Sequence, residues 1–196
     1  MRRDGVKVCV LGLVAVVAGM LATGEASAPE NALWIRNPAI SPDGRTIAFS
    51  YRGDLWTIAA TGGTATPLTV HPAYDGFPIW SPDGSRLAFA SDRYGNFDIF
   101  TMPAGGGDAT RLTVHSSEDI PYSFTPDGAA VLFGSSRLDS VTNVQFPTGA
   151  QPELYKVALT GGAQVQVLST PAIYAVFDRA GKRLAYSDQK GDEMEW

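Results

Sequence analysis

Cysteine is almost absent from this chain: Cys9 is the single example in 196 residues. Because it lies in the N-terminal apolar run, everything beyond residue 28 is without a thiol, a disulfide or a Cys-based metal site. Histidine is nearly as scarce, with only His71 and His115, so few imidazoles are available for base catalysis or metal ligation. No Gly-x-Ser-x-Gly nucleophile elbow occurs, and no Lys/Arg cluster is found past Arg2-Arg3. With a formal charge of -5, the lack of a basic patch argues against a nucleic-acid binder. A membrane span needs about 20 apolar residues, whereas the apolar run Val8 to Leu21 stops at fourteen.

That short run reads as part of an export signal. Met1 to Lys7 is a positively charged leader, Val8 to Leu21 the apolar segment, and Ala26-Ser27-Ala28 the small-residue cleavage box. Residues 1–28 are therefore expected to be a signal peptide and Pro29 the start of an exported chain, periplasmic or extracellular, with no membrane span after cleavage. Cys9 comes too early for a lipoprotein site. The 44% hydrophobic content is ordinary for a globular domain, and 21 Gly with 13 Pro announce many turns.

The turns repeat. Ser41-Pro42-Asp43-Gly44, Ser81-Pro82-Asp83-Gly84 and Thr125-Pro126-Asp127-Gly128 are three copies of one tetrapeptide, and Asp178-Arg179-Ala180-Gly181 is a degenerate fourth. Proline presets φ, aspartate bonds back to the backbone and glycine accepts φ > 0, so each copy reads as a hairpin turn. A large apolar residue precedes each: Ile40, Trp80, Phe124 and Phe177. Six positions after each copy begins, an apolar triplet starts: Ile47-Ala48-Phe49, Leu87-Ala88-Phe89, Val131-Leu132-Phe133 and Leu184-Ala185-Tyr186. Third strands are expected at 54–58, 98–102 and 153–157, then a glycine turn, then fourth strands at 66–70, 110–114 and 164–168. Pro67 removes a ladder donor and suits an outermost strand.

Four short antiparallel strands per unit, at spacings of 40, 44 and 53 residues, are the mark of an all-β propeller. The expected blades are about 36–75, 76–119, 120–171 and 172–196, three complete and one partial, within a partial propeller over 29–196. Propellers close with typically four to eight blades, so the chain is expected to be the front portion of a larger, about six-bladed ring. Loop variation accounts for the uneven spacing, including a long insertion from Ser135 to Pro152.

The unit "WSPDGSRLAFASDRYGNFDIF", with a following glycine turn and "ATRLT", resembles the propeller repeat shared by TolB and tricorn-like serine peptidases. "LWIRNPAISPDGRTIAFSYRGDLWTI", "ELYKVALTGG" and "LSTPAIYAVFDRAGKRLAYSD" are similar to the tricorn branch, and the likeness covers essentially residues 33–196. That resemblance implies a non-catalytic propeller that guides or gates peptides at a protease domain, with peptides or a protease domain or subunit as partners and a homo-oligomer through the parent protein. A stand-alone periplasmic binding or scaffold module of TolB type is the alternative; a propeller linked to an α/β-hydrolase would require a downstream nucleophile elbow. No catalytic residue can be carried onto this chain.

Among the residues themselves, the repeat turns (Ser41 to Gly44, Ser81 to Gly84, Thr125 to Gly128, and Gly181) are expected to be structural. His71 and His115 each follow "Leu-Thr-Val" and occupy equivalent loop positions, which reads as solvated loops before it reads as a two-histidine metal site. No cofactor or metal is expected. Ala104 to Gly107 lacks the Lys-Ser/Thr of a phosphate loop. Trp56, Trp80, Phe89, Phe100, Phe133 and Tyr155 fall at repeat-locked positions and should be core. Candidate peptide-contacting loops are Asp92-Arg93, whose plainer reading with Asp98 is an intra-loop ion pair, and the insertion, with Asn143, Gln145 and Phe146.

Overall fold

A computed structural model of the chain describes residues 34–137 and 152–187. These belong to one compact unit, residues 32–196. The expected signal peptide and the candidates Asn143, Gln145 and Phe146 lie outside the described residues. Among those described, every regular element is a strand: β1 (Arg36–Ile40), β2 (Thr46–Tyr51), β3 (Asp54–Ala59), β4 (Thr66–Pro67), β5 (Asp75–Trp80), β6 (Arg86–Ser91), β7 (Asp98–Pro103), β8 (Thr110–Arg111), β9 (Asp119–Phe124), β10 (Ala130–Ser135), β11 (Glu153–Ala158), β12 (Val165–Pro171), β13 (Ile173–Phe177) and β14 (Leu184–Ser187). They form three four-stranded antiparallel meanders, β1-β2-β3-β4, β5-β6-β7-β8 and β9-β10-β11-β12, and a two-stranded sheet, β13-β14. The fold is thus a propeller arc of three blades and part of a fourth. The first strands of successive sheets touch one another, β1 with β5, β5 with β9 and β9 with β13, so they are the innermost strands. The strand carrying Pro67 is outermost, where its missing N–H costs no ladder bond.

The triplets build the core by alternation. Strand side chains point to opposite faces in turn, so Leu87 and Phe89 of β6 pack on Ala48 and Leu55 of the preceding sheet, while Ala88 packs on Val131 and Phe133 of the next. In β10, Val131 and Phe133 face back and Leu132 faces forward onto Ala172 and Ala175. Phe89, Leu87, Leu132 and Phe133 are fully buried. A single sheet has no partner for either face; stacking supplies both.

The turns hold because each closes a small network. In the first, Gly44 N–H donates to Ser41 O at 2.8 Å, Ser41 Oγ–H to Asp43 Oδ1 at 2.6 Å, and Thr46 N–H to Ser41 Oγ at 2.9 Å. The degenerate copy survives because one residue does both jobs: the Asp178 carboxylate accepts from Lys182 N–H at 2.7 Å and Arg183 N–H at 3.2 Å. Gly181, at φ +68°, would place a Cβ 3.5 Å from Pro126; Gly128 and Gly84 stand 3.6 Å from Pro82 and Pro42 in the same sense. Each of these three turn glycines is therefore seated against the proline of the preceding turn.

The second and third sheets begin at Asp75 and Asp119. Two expectations need correction, on the length of the fourth strands and on where the insertion begins. β4 and β8 are two residues long instead of five, because the Thr69 and Thr113 hydroxyls take over from the backbone and accept from Leu55 N–H and Ile99 N–H, both at 2.9 Å. Ser135 is the last residue of β10, paired with Glu153, so the insertion begins after it.

Candidate functional site

Two groups of residues recur around the arc: one on its inner wall and one where the strands β6 and β10 leave their sheets. On the inner wall, every innermost strand breaks register opposite or next to the third residue of its triplet. The break falls between Arg36 and Ala39, between Gly76 and Ile79, at Tyr122, and between Ile173 and Val176. These are β-bulges, which re-aim side chains and sharpen the local twist. Asn37, Phe77 and Tyr174 sit in them at φ of 48°, 55° and 55°. Non-glycine residues there cost about 1–3 kcal/mol each and persist only where the surroundings impose them.

The bulges surround a cavity of about 390 Å3, to which all four innermost strands contribute. Pro38, Pro78 and Pro121 stand in three of them, with Phe77, Tyr122 and Tyr174 as the aromatic lining. Tyr122 lies over the backbone of Gly134, where a Cβ would meet its Oη at 2.0 Å. Its ring is tilted against Tyr174 at 6.2 Å. Burial, and secondarily neighbouring Tyr174, push the Tyr122 phenol up to about 12, so it is a neutral hydroxyl at any physiological pH.

The second group is a pair of buried ion pairs. Arg93 donates to Asp75 at 2.8 Å and Arg137 to Asp119 at 2.6 Å, with both carboxylates fully buried. Each guanidinium also lies over a stacked aromatic pair, Phe89–Phe100 for Arg93 and Phe133–Tyr155 for Arg137, at 5.1–5.8 Å. That adds cation–π attraction to the charge pairing. Arg111 pairs likewise with buried Asp98 and carries Tyr94 over it at 4.1 Å.

The candidate site residues fall as follows. The intra-loop ion pair is not formed: Arg93 turns to Asp75, Asp98 takes Arg111, and Asp92 accepts from Tyr74 N–H at 2.7 Å. Phe89, Phe100, Phe133 and Tyr155 are buried, whereas Trp56 and Trp80 are half-buried. Trp80 donates through Nε1 to Ala39 O of the neighbouring sheet at 3.0 Å. His71 and His115 both cap their own loops, each Nδ1 accepting from the backbone N–H two residues on at 3.0 Å. Among the described residues no group of three metal-ligating side chains is assembled, and no helix is long and apolar enough to cross a membrane. The repeat turns sit at the end of the sheets away from these loops, and Ser41, Asp43, Asp83 and Gly84 line a groove of about 780 Å3 there.

Sequence reasoning missed both recurring groups. The ion pairs had a usable signal: Asp75 and Asp119 each stand six residues before a repeat turn, and Arg93 and Arg137 twelve after its first residue. At the same offsets the first blade has Ile35 and Gly53, and the fourth begins with Ala172. The inner-wall prolines were visible but carried no sign of the cavity they share.

Antiparallel sheets stacked so that their first strands touch one after another define a β-propeller. The chain belongs to the tricorn protease N-terminal β-propeller domain family, whose model matches residues 32–196. Among solved structures, TolB from Acinetobacter baumannii is similar at a TM-score of 0.61 and 24% identity, covering 78% of this chain and 37% of that one. The tricorn protease follows at 0.58 and 22%, covering 74% and 14%. At those identities the likeness concerns the fold alone. In sequence, an uncharacterized peptidase, YuxL, of Bacillus subtilis (strain 168) is 33% identical over 72 residues, covering 32% of this chain and 11% of that protein. The chain thus spans far less than two thirds of the length of any of these proteins.

Proposed function

We propose that this chain is the exported, non-catalytic propeller portion of a tricorn-like serine peptidase, and that it guides or gates peptides on their way to or from a protease domain or subunit. The observation that carries the reading is the inner wall: four equivalent bulged strands around one cavity of about 390 Å3, with family membership over residues 32–196. Sites of about 300–1,000 Å3 lined mostly by apolar groups are the usual size for bound ligands. A peptide is the natural occupant, because innermost strands present a free edge of backbone groups to whatever enters. Export rests on the charged, apolar and small-residue segments of residues 1–28. The rim loops at Asp92-Arg93 and at the β10–β11 connection, with Asn143, Gln145 and Phe146, are the proposed first points of peptide contact, and assembly through the parent protein is the proposed oligomeric route.

The test is a fractionation. Antibody raised against residues 34–187 should detect its antigen in the exported fraction, in a species that reacts with a serine-hydrolase probe or co-purifies with one that does. An antigen no larger than the 196-residue chain, with no probe-reactive partner, would overturn the peptidase reading in favour of a stand-alone TolB-like module.

A further inference from the structure

The chemistry of the inner wall narrows what it can hold. The eleven described residues that line the cavity include none with a charge. Asp75 and Asp119, which open the innermost strands β5 and β9, are fully buried against Arg93 and Arg137, so these charges are paired with one another. The hydrogen-bonding edge is also one-sided. An innermost strand leaves a row of N–H and C=O groups unpaired, but Pro38, Pro78 and Pro121 have no N–H to give. Backbone donors are therefore depleted on three of the four strands, at equivalent positions for Pro38 and Pro78 and one residue further from its turn for Pro121. The whole chain is acidic, with a net charge of -5, which adds an unfavourable field for an approaching anion.

We infer that the cavity takes an extended peptide segment carrying aliphatic or aromatic side chains and excludes segments carrying acidic ones. This rests on the reading of the propeller as a peptide guide. The peptide's backbone N–H groups meet the carbonyls of the wall, and its side chains pack on Phe77, Tyr122 and Tyr174. Tyr174 is 74% exposed, ready to close on a ring or a proline. A carboxylate brought into the same place is stripped of water and finds no cation among the lining residues, whose side-chain donors are the neutral Asn37 amide and the Tyr122 and Tyr174 hydroxyls, and a buried charge without a counter-charge is costly.

The experiment is fluorescence anisotropy on the full chain with three labelled nonapeptides, blocked at both ends. One is built from Leu, Phe, Pro and Gly; the second has two Glu substituted and the third two Lys. The neutral peptide should bind, the Glu peptide at least about tenfold more weakly, a step of about 1.4 kcal/mol, and the Lys peptide within a few-fold of the neutral one. Tyr174→Ala should weaken the neutral peptide about fivefold, in line with loss of one aromatic contact, while Asp108→Asn, at an exposed position on the outer β7–β8 connection, leaves it unchanged. Circular dichroism establishes that both variants are folded. Equal binding of Glu and neutral peptides, or indifference to Tyr174→Ala, overturns the selectivity and leaves peptide guidance standing. Failure of all three peptides to bind overturns both.

Discussion

Replacing Gly134 by alanine asks whether the inner wall is built as described. Gly134 lies in β10, paired with Ile120 on one side and Leu154 on the other, with no unusual φ to explain a glycine. What needs it is Tyr122. An added Cβ would lie 2.0, 2.5 and 2.8 Å from the Oη, Cζ and Cε2 of that ring, and real Cβ atoms keep farther off. The methyl has no room unless the ring swings away. That movement breaks the Tyr122–Tyr174 contact and opens the phenol to water. Overpacking of this kind costs about 1–3 kcal/mol, which should appear as an earlier denaturant midpoint with an unchanged slope. The phenol should also fall from about 12 toward its ordinary 10, as read by NMR titration of ring-labelled tyrosine. In a Tyr122→Ala background the obstacle is gone, so Gly134→Ala should there become near neutral, a coupling of about 1–3 kcal/mol across the cycle. If Gly134→Ala leaves the midpoint and the Tyr122 titration where they were, the packing described for this wall is wrong.

Other perturbations test other joints. Arg93→Ala should destabilise by about 3–5 kcal/mol, because it strands a fully buried Asp75 carboxylate; an Asp75→Leu/Arg93→Leu double variant in the same denaturation assay should lose much less. Asp83 is held at about 2, below its ordinary 3.8, first by the Ser81 hydroxyl and then by the Ser85 N–H and hydroxyl. Since the folded value is the depressed one, its support of the turn is present above the ordinary value and is lost as pH falls toward 2. Ser81→Ala should move the Asp83 titration upward in a carboxyl-carbon NMR experiment. Gly84→Ala puts a side chain at φ +71°, with Pro42 already 3.6 Å from the new Cβ. It should cost about 1–2 kcal/mol, where a D-alanine made by semisynthesis costs less. Phe89→Ala, at a fully buried site between two sheets, should cost about 3–5 kcal/mol.

The architecture was legible because one turn chemistry recurs with a fixed offset to an apolar triplet, and an offset repeated four times reports strand pairing directly. Even the loss of Ser, Pro and the usual Asp from the fourth copy did not hide it, since Asp178 and Gly181 keep the two geometric requirements. The strand ends were less legible. Thr69 and Thr113 look like ordinary strand residues, yet their hydroxyls replace the ladder and end the strands early. The inner wall was hidden for a different reason. Pairings such as Gly134 with Tyr122, or Gly84 with Pro42, are made across a bulge or between blades, and linear spacing does not record which side chain a bulge turns inward. The same holds for Arg93: its neighbour in sequence is Asp92, but its charge partner is eighteen residues away, on the strand that closes the sheet from inside.

The central claim is that peptides are received by the inner wall. A neutral nonapeptide bearing one benzoylphenylalanine, photocrosslinked to the full chain and mapped by mass spectrometry, tests it most directly. The account predicts adducts within 37–39, 77–79, 120–122 and 173–174, the segments that line the cavity. Adducts confined to the turn groove around Ser41 to Gly44 and Asp83-Gly84, or scattered over the outer strands, would contradict it.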